Sequence, residues 1–218
     1  MLERAFVGSF DREDDRRRRY RYFLQQPFGS ISLRFGHGRA VGGFVNLRVQ
    51  YTRVRTYEGS LLAEQRPPGM EGGFEAELAG GFIIDTREPE PAPTRGVFAE
   101  LSVRASPDLS GHGTTYIAPF ASLRSFHAVA PDRVVLAWRV MGEWLFGNPA
   151  FYEMTRWGGA TPILGFGGFE TLRGASFGRW RAPGRAIANV ELRIDVIRHR
   201  LFKPVSYTHL TLPTNREV

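Results

Sequence analysis

Ala186-Ile187-Ala188-Asn189-Val190-Glu191-Leu192-Arg193-Ile194-Asp195-Val196-Ile197 is the stretch that decides the fold class. Ala186, Ala188, Val190, Leu192, Ile194 and Val196 occupy every second position. Between them stand Ile187, Asn189, Glu191, Arg193, Asp195 and Ile197. Successive side chains of a strand point to opposite faces, so one face here is apolar and the other carries an amide and three charges.

The same period of two recurs along the chain. Val97, Ala99, Leu101 and Val103 alternate with Phe98, Glu100, Ser102 and Arg104. Val45, Leu47, Val49 and Tyr51 alternate with Asn46, Arg48, Gln50 and Thr52, and Ile31, Leu33 and Phe35 with Ser32, Arg34 and Gly36. Phe74, Ala76, Leu78, Gly80, Phe82 and Ile84 oppose Glu75, Glu77, Ala79, Gly81, Ile83 and Asp85, and Val134–Met141 follows the same rule. Thr114–Val129 reads as a strand interrupted by Pro119, and Leu2–Phe10 as an opening strand, which makes eight.

Such a pattern suits two architectures. An antiparallel sheet with one face on a soluble core would show it. So would a transmembrane barrel, in which every second residue faces lipid. Strand length favours the barrel, because these segments exceed the usual strand of about 5–6 residues and match a tilted membrane crossing. Connection length favours it too. Short links at His37–Ala40, Thr86–Arg95 and Ala130–Asp132 all fall at one end of the strands. Longer ones at Asp11–Tyr20, Thr56–Gly73, Ser106–Gly113 and Gly147–Gly184 fall at the other, as with the periplasmic turns and external loops of outer-membrane barrels. The fold class read from the sequence is all-β: an antiparallel transmembrane β-barrel.

Composition agrees with many strands joined by turns. The 218 residues include 25 Gly and 14 Pro, and 13% are aromatic. A net charge of +7 raises nucleic acid and anionic membranes as partners. The arginines are spread along the whole chain, however, and no nucleic-acid-binding motif occurs, so no nucleic-acid partner is expected. The run Asp11–Arg19 reads as a mixed-charge solvated loop. No run of about 18 apolar residues could form a transmembrane helix. The opening Met1-Leu2-Glu3-Arg4 lacks the apolar core of a signal peptide. Mean hydropathy is −0.26, which a barrel tolerates.

No catalytic residues, metal or cofactor are assigned, and the chain is read as a non-enzyme. Cysteine is absent, and the five histidines show no metal-ligand spacing. The glycine-rich stretches Gly158-Gly159 and Gly165–Gly168 lack the Lys-Ser/Thr of a phosphate-binding loop.

Three motifs, in order, resemble the BamA/TamA outer-membrane assembly superfamily, also called the bacterial surface antigen family. Asp85-Thr86-Arg87 followed by Pro93-Thr94-Arg95-Gly96 resembles its periplasmic Asp-Thr-Arg-Asp…Pro-Thr-x-Gly turn, with Glu88 in place of the last Asp. Gly167-Gly168-Phe169-Glu170-Thr171-Leu172-Arg173-Gly174 resembles the Gly-Gly…Val-Arg-Gly-Phe/Tyr motif of its long external loop, which folds back into the barrel. Here Leu172 replaces Val, and Ala175 stands where Phe or Tyr is usual. Ala188-Asn189-Val190-Glu191-Leu192-Arg193 is similar to the Asn-x-Glu-Leu-Arg strand that follows that loop.

The resemblance implies a sixteen-stranded barrel, of which this chain would cover about the fifth to the twelfth strands. It also implies a role in inserting outer-membrane proteins at the bacterial outer membrane. Partners would be outer-membrane lipid, unfolded outer-membrane or secreted clients, and periplasmic or lipoprotein accessory factors. A two-partner secretion pore, the barrel anchor of an upstream lipid hydrolase, and a soluble β-sheet binding protein are the competing readings. Arg173 would be the loop arginine held by acidic groups of the barrel wall, with Glu191 and Asp195, beside Arg193, facing the lumen. The barrel is assigned to residues 1–205. Ser206–Val218 (SYTHLTLPTNREV) resembles translated adapter read-through and is expected to be non-native and outside the barrel.

Overall fold

Alternation produces a sheet only if the strands find partners in a register that keeps all apolar residues on one side. The computed structural model shows that register. It describes residues 2–3, 22–37, 40–88, 92–130, 133–163, 165–168, 170–175, 180–195 and 205–215, with backbone alone at 2–3, 37, 195 and 205–215. The strands are β1 (Leu2–Glu3), β2 (Tyr22–Gln25), β3 (Phe28–His37), β4 (Val41–Thr56), β5 (Gly73–Asp85) and β6 (Gly96–Ser106). They continue with β7 (Thr115–Ala130), β8 (Val134–Trp144), β9 (Phe146–Asn148), β10 (Gly184–Asp195) and β11 (Val205–Asn215).

All pair antiparallel in one sheet, in the order β1-β2-β4-β5-β6-β7-β8-β10-β11. Among the described residues β1 and β11 do not meet, so the sheet is open. β2 and β3 both pair with β4 and form one strand broken at Pro27, whose carbonyl still accepts from Tyr51 N. Likewise β9 continues β8 past Leu145. That break explains why Pro119 is tolerated in β7. The β7–β8 ladder stops at Phe120 and the β7–β9 ladder resumes at Ile117, so the missing N–H lies between two ladders.

Seven of the eight expected strands are thus present along most of their length; only Leu2–Glu3 of the opening one lies among the described residues. The longest, β4 and β7, run 16 residues. Links around 38–40, 86–95 and 131–133 lie at one end of the sheet, and 57–72, 107–114 and 149–183 at the other. The link after β4 is less irregular than its composition suggests, since it contains a short helix, α1 (Leu61–Gln65). Ser60 caps it by accepting from Ala63 N, and Arg66, at φ 43°, ends it.

The backbone of Val205–Asn215 pairs with β10, from Arg185–Asn215 to Asp195–Val205. Ladder bonds are made by backbone groups. A free strand edge accepts an extended segment largely irrespective of its side chains.

The two faces differ sharply. One is bare and apolar: Phe82 is 70% exposed, Ile31 68% and Leu101 64%, with Leu78, Phe74, Val140 and Phe146 beside them. The other carries the polar residues and is covered by the 149–183 segment. Burial is concentrated between that segment and the sheet. Trp157, Ile163 and Phe166 pack on Phe120, Met141 and Ile187, while Ala150, Phe151 and Tyr152 pack on Tyr22 and Leu24. No helix among the described residues is long and apolar enough to cross a membrane.

Candidate functional site: the covered face and its inserted loop

A long connection stays on a sheet face only if its backbone polar groups find partners there. In the 149–183 loop the first anchor is the single 3-10 turn Glu153–Thr155. Its Glu153 and the following Arg156 enter a buried charged network with the sheet. At the centre is Arg104 of β6. Its row neighbours are Ala79 of β5 and Ala118 of β7, whose small side chains leave room for a guanidinium to lie across the sheet.

Arg104 uses its whole fork. Nε donates to Glu143 Oε1 at 2.8 Å and Nη1 to Glu77 Oε2 and Glu153 Oε2, both at 2.9 Å. Nη2 donates to the Arg156 carbonyl at 2.9 Å. Arg156 bonds both Glu77 and Glu153, and Arg185 of β10 bonds Glu143 and the Arg156 carbonyl. Tyr116 O–H donates to Glu77 at 2.5 Å. Arg104, Arg156 and Arg185 balance Glu77, Glu143 and Glu153, and every one of these side chains is buried. Such a group is tolerable only because charge and hydrogen bonding close together.

In the loop, burial pushes the Glu153 carboxyl up, but Arg156, Arg104 and Arg48 outweigh it and hold the group below the ordinary carboxylate range. Burial pulls Arg156 down, and Glu153 and Glu77 more than restore it. Tyr152 is pushed up by burial and by Glu75, to which it donates at 2.5 Å.

Gly158 and Gly159 follow. Gly158 N donates to Glu143 Oε1 at 2.8 Å and Ala160 N to Glu100 Oε1 at 2.6 Å. A Cβ on either glycine would stand 2.8 Å from those carboxylate oxygens, and Gly159 has φ +104°. Two glycines therefore let the loop backbone bond wall carboxylates directly.

The motif residues expected from the sequence lie farther along the loop. Gly167 N donates to Thr171 Oγ1 at 2.8 Å and Gly168 N to the Ala175 carbonyl at 2.9 Å, which closes a local turn. Leu172 packs against the Trp157 cluster. Arg173 and Gly174 are exposed, and Phe169 lies outside the described residues. Arg173 shares the lining of a cavity of about 620 Å³ with Glu191 and Arg193. Glu191 Oε1 accepts from Arg193 Nε at 2.7 Å. The side chain of Asp195 lies outside the described residues.

At the opposite end, both oxygens of Asp85 accept from Arg87, at 2.7 and 2.6 Å. Thr86 exchanges bonds with Val97, and Pro93 is buried. Thr94 N donates to the Glu88 carbonyl at 3.0 Å. Gly96, at φ +104°, sits where a Cβ would be 2.3 Å from the Thr86 carbonyl.

Sequence reasoning did not single out the buried network. Glu77 and Arg104 stood on the polar faces of their strands, and Glu143 and Arg185 lie just past the alternations read there. Their parity was the available signal. Arg156 had none, because loop residues have no periodicity.

No protein-family model matches the sequence, and no curated protein matches it. Among solved structures, the fold is similar to that of BamA from Haemophilus ducreyi in a form lacking POTRA domains 1-3. The TM-score is 0.61 at 16% identity, over 83% of this chain and 40% of that one. The architecture is therefore that of a BamA-like barrel sheet, and this chain spans less than half the length of that protein.

Proposed function

We propose that this chain is part of an outer-membrane barrel that helps insert or assemble other outer-membrane proteins. The observation that carries the reading is a BamA-like sheet with one bare apolar face and a long loop bound on the other. In water so large an apolar surface would drive aggregation; in hydrocarbon it is the ordinary exterior of a barrel. The long-loop end would then face outward and the Asp85–Gly96 turn the periplasm.

Strands beyond this chain would complete the barrel. Such a barrel works without a cofactor: a weak seam offers backbone edges to an incoming chain, which adds strands by pairing. Its partners would be outer-membrane lipid, unfolded clients, and periplasmic or lipoprotein accessory factors. In this reading Gly167–Gly174 forms the loop tip, and Arg173, Glu191, Arg193 and Asp195 face the lumen.

The test is reconstitution of the protein into liposomes, followed by an unfolded outer-membrane client. Client folding, read from its heat-modifiable gel mobility, is expected to be several-fold faster than in empty liposomes. Equal rates with correctly inserted protein would refute the assembly role and leave a barrel with another task.

A further inference from the structure

Nearer the short-link end, the covered face has a second charged region that the loop network leaves unused. One row across the sheet runs Asp85, Phe98, Arg124, Arg139 and Asn189, on β5, β6, β7, β8 and β10, each the partner of the next. Both oxygens of Asp85 are occupied by Arg87. Two guanidiniums thus stand side by side on neighbouring strands, a pairing that destabilises a sheet, and the carboxylates that share their cavity, Glu100, Glu170 and Glu191, offset it only from beyond ion-pair distance.

Neither has a salt bridge to a carboxylate among the described residues. Arg139 is oriented by Asn189 Oδ1, which accepts from Nε at 3.0 Å and Nη2 at 2.6 Å. Its Nη2 also donates to the Glu170 carbonyl at 2.5 Å, and Asn189 Nδ2 donates to the Thr171 carbonyl at 3.1 Å. Its Nη1 has no acceptor among the described residues. Arg124 rests on Phe98 with Cζ 5.1 Å from the ring centroid, and its buried Nε finds no acceptor among the described residues. Both side chains line the 620 Å³ cavity, with Phe98 and Phe126 in its wall and Ile163 and Thr171 contributed by the loop.

We propose that Arg124 and Arg139 form an oxyanion site in this cavity, which takes a phosphate or carboxylate group between the two guanidiniums. The planar fork of arginine matches either oxyanion, and binding would discharge the like-charge pair. The inference requires only the sheet and its loop, so it stands or falls separately from the assembly role.

The test uses the full chain in detergent micelles at constant ionic strength, with chloride exchanged first for inorganic phosphate and separately for N-acetyl-aspartate amide. Isothermal titration calorimetry reads binding. A saturable response is expected, weakened tenfold or more by Arg124→Gln and by Arg139→Gln and unchanged by Arg95→Gln in the exposed turn. Saturation by phosphate alone identifies a phosphate group as the natural occupant; saturation by the aspartate derivative alone identifies an acidic side chain. In chloride, Arg124→Gln should differ little in stability from the parent, because relief of the repulsion offsets the lost stacking on Phe98 and the substitution breaks no hydrogen bond among the described residues. A non-saturable response to both probes, binding by either variant equal to that of the parent, or an Arg124→Gln markedly less stable than the parent would overturn the site.

Discussion

Replacing Arg104 by Leu tests how the loop is held. The substitution leaves Glu77, Glu143 and Glu153 with only Arg156 and Arg185, so a balanced buried group becomes one charge negative. No carboxylate is stripped of every partner. Glu77 keeps Arg156 and Tyr116, Glu143 keeps Arg185 and Gly158 N, and Glu153 keeps Arg156 and Gln50. Removing one member of a buried ion pair typically costs about 3–5 kcal/mol, and these remaining partners place the expected loss near the lower figure, about 3 kcal/mol. That is about two powers of ten in the folding equilibrium constant. Urea unfolding in micelles, followed by loss of the β-sheet circular dichroism signal, measures it. The pH dependence adds a signature. Glu153 is held below its unfolded value, so in the parent its contribution is full above about pH 4.3 and fades as pH falls through the depressed folded value. In Arg104→Leu, protonating one carboxylate removes the unbalanced charge, so the deficit should shrink below about pH 5. A loss under about 1 kcal/mol, or a deficit that grows in acid, would refute the network as the anchor of the loop.

Three further outcomes are expected. Arg156→Ala should cost about 3–5 kcal/mol, whereas Arg173→Ala, at an exposed position, should cost less than about 1 kcal/mol in the same unfolding assay. Leu101→Arg, on the bare face, should destabilise the protein in lipid bilayers by about 2–4 kcal/mol if that position lies near the midplane, and little if it faces water. Gly96→Ala should cost about 1–3 kcal/mol through backbone strain, read as a lower thermal midpoint, because φ is +104° and the Thr86 carbonyl blocks a Cβ.

Strand assignment, the division into two faces and the sorting of short and long links were all legible in the sequence. Each depends on period two and on turn composition, which are local properties of the chain. The apolar set Ala188, Val190, Leu192 and Ile194 needed no partner to declare its common face. The placement of Val205–Asn215 was not legible, because an edge pairs through backbone whatever its side chains say. Nor was the loop anchor. Glu77, Arg104, Glu143, Glu153, Arg156 and Arg185 span 109 positions of sequence (185 − 77 = 108 steps) and meet only because antiparallel register and the fold-back of the loop bring them to one place. Charge on the polar face of a strand says that a residue points inward. Which opposite charge waits there, and whether water is excluded so that the pair matters, is decided by tertiary packing alone, since Coulomb energy depends on distance and surroundings and not on separation along the chain.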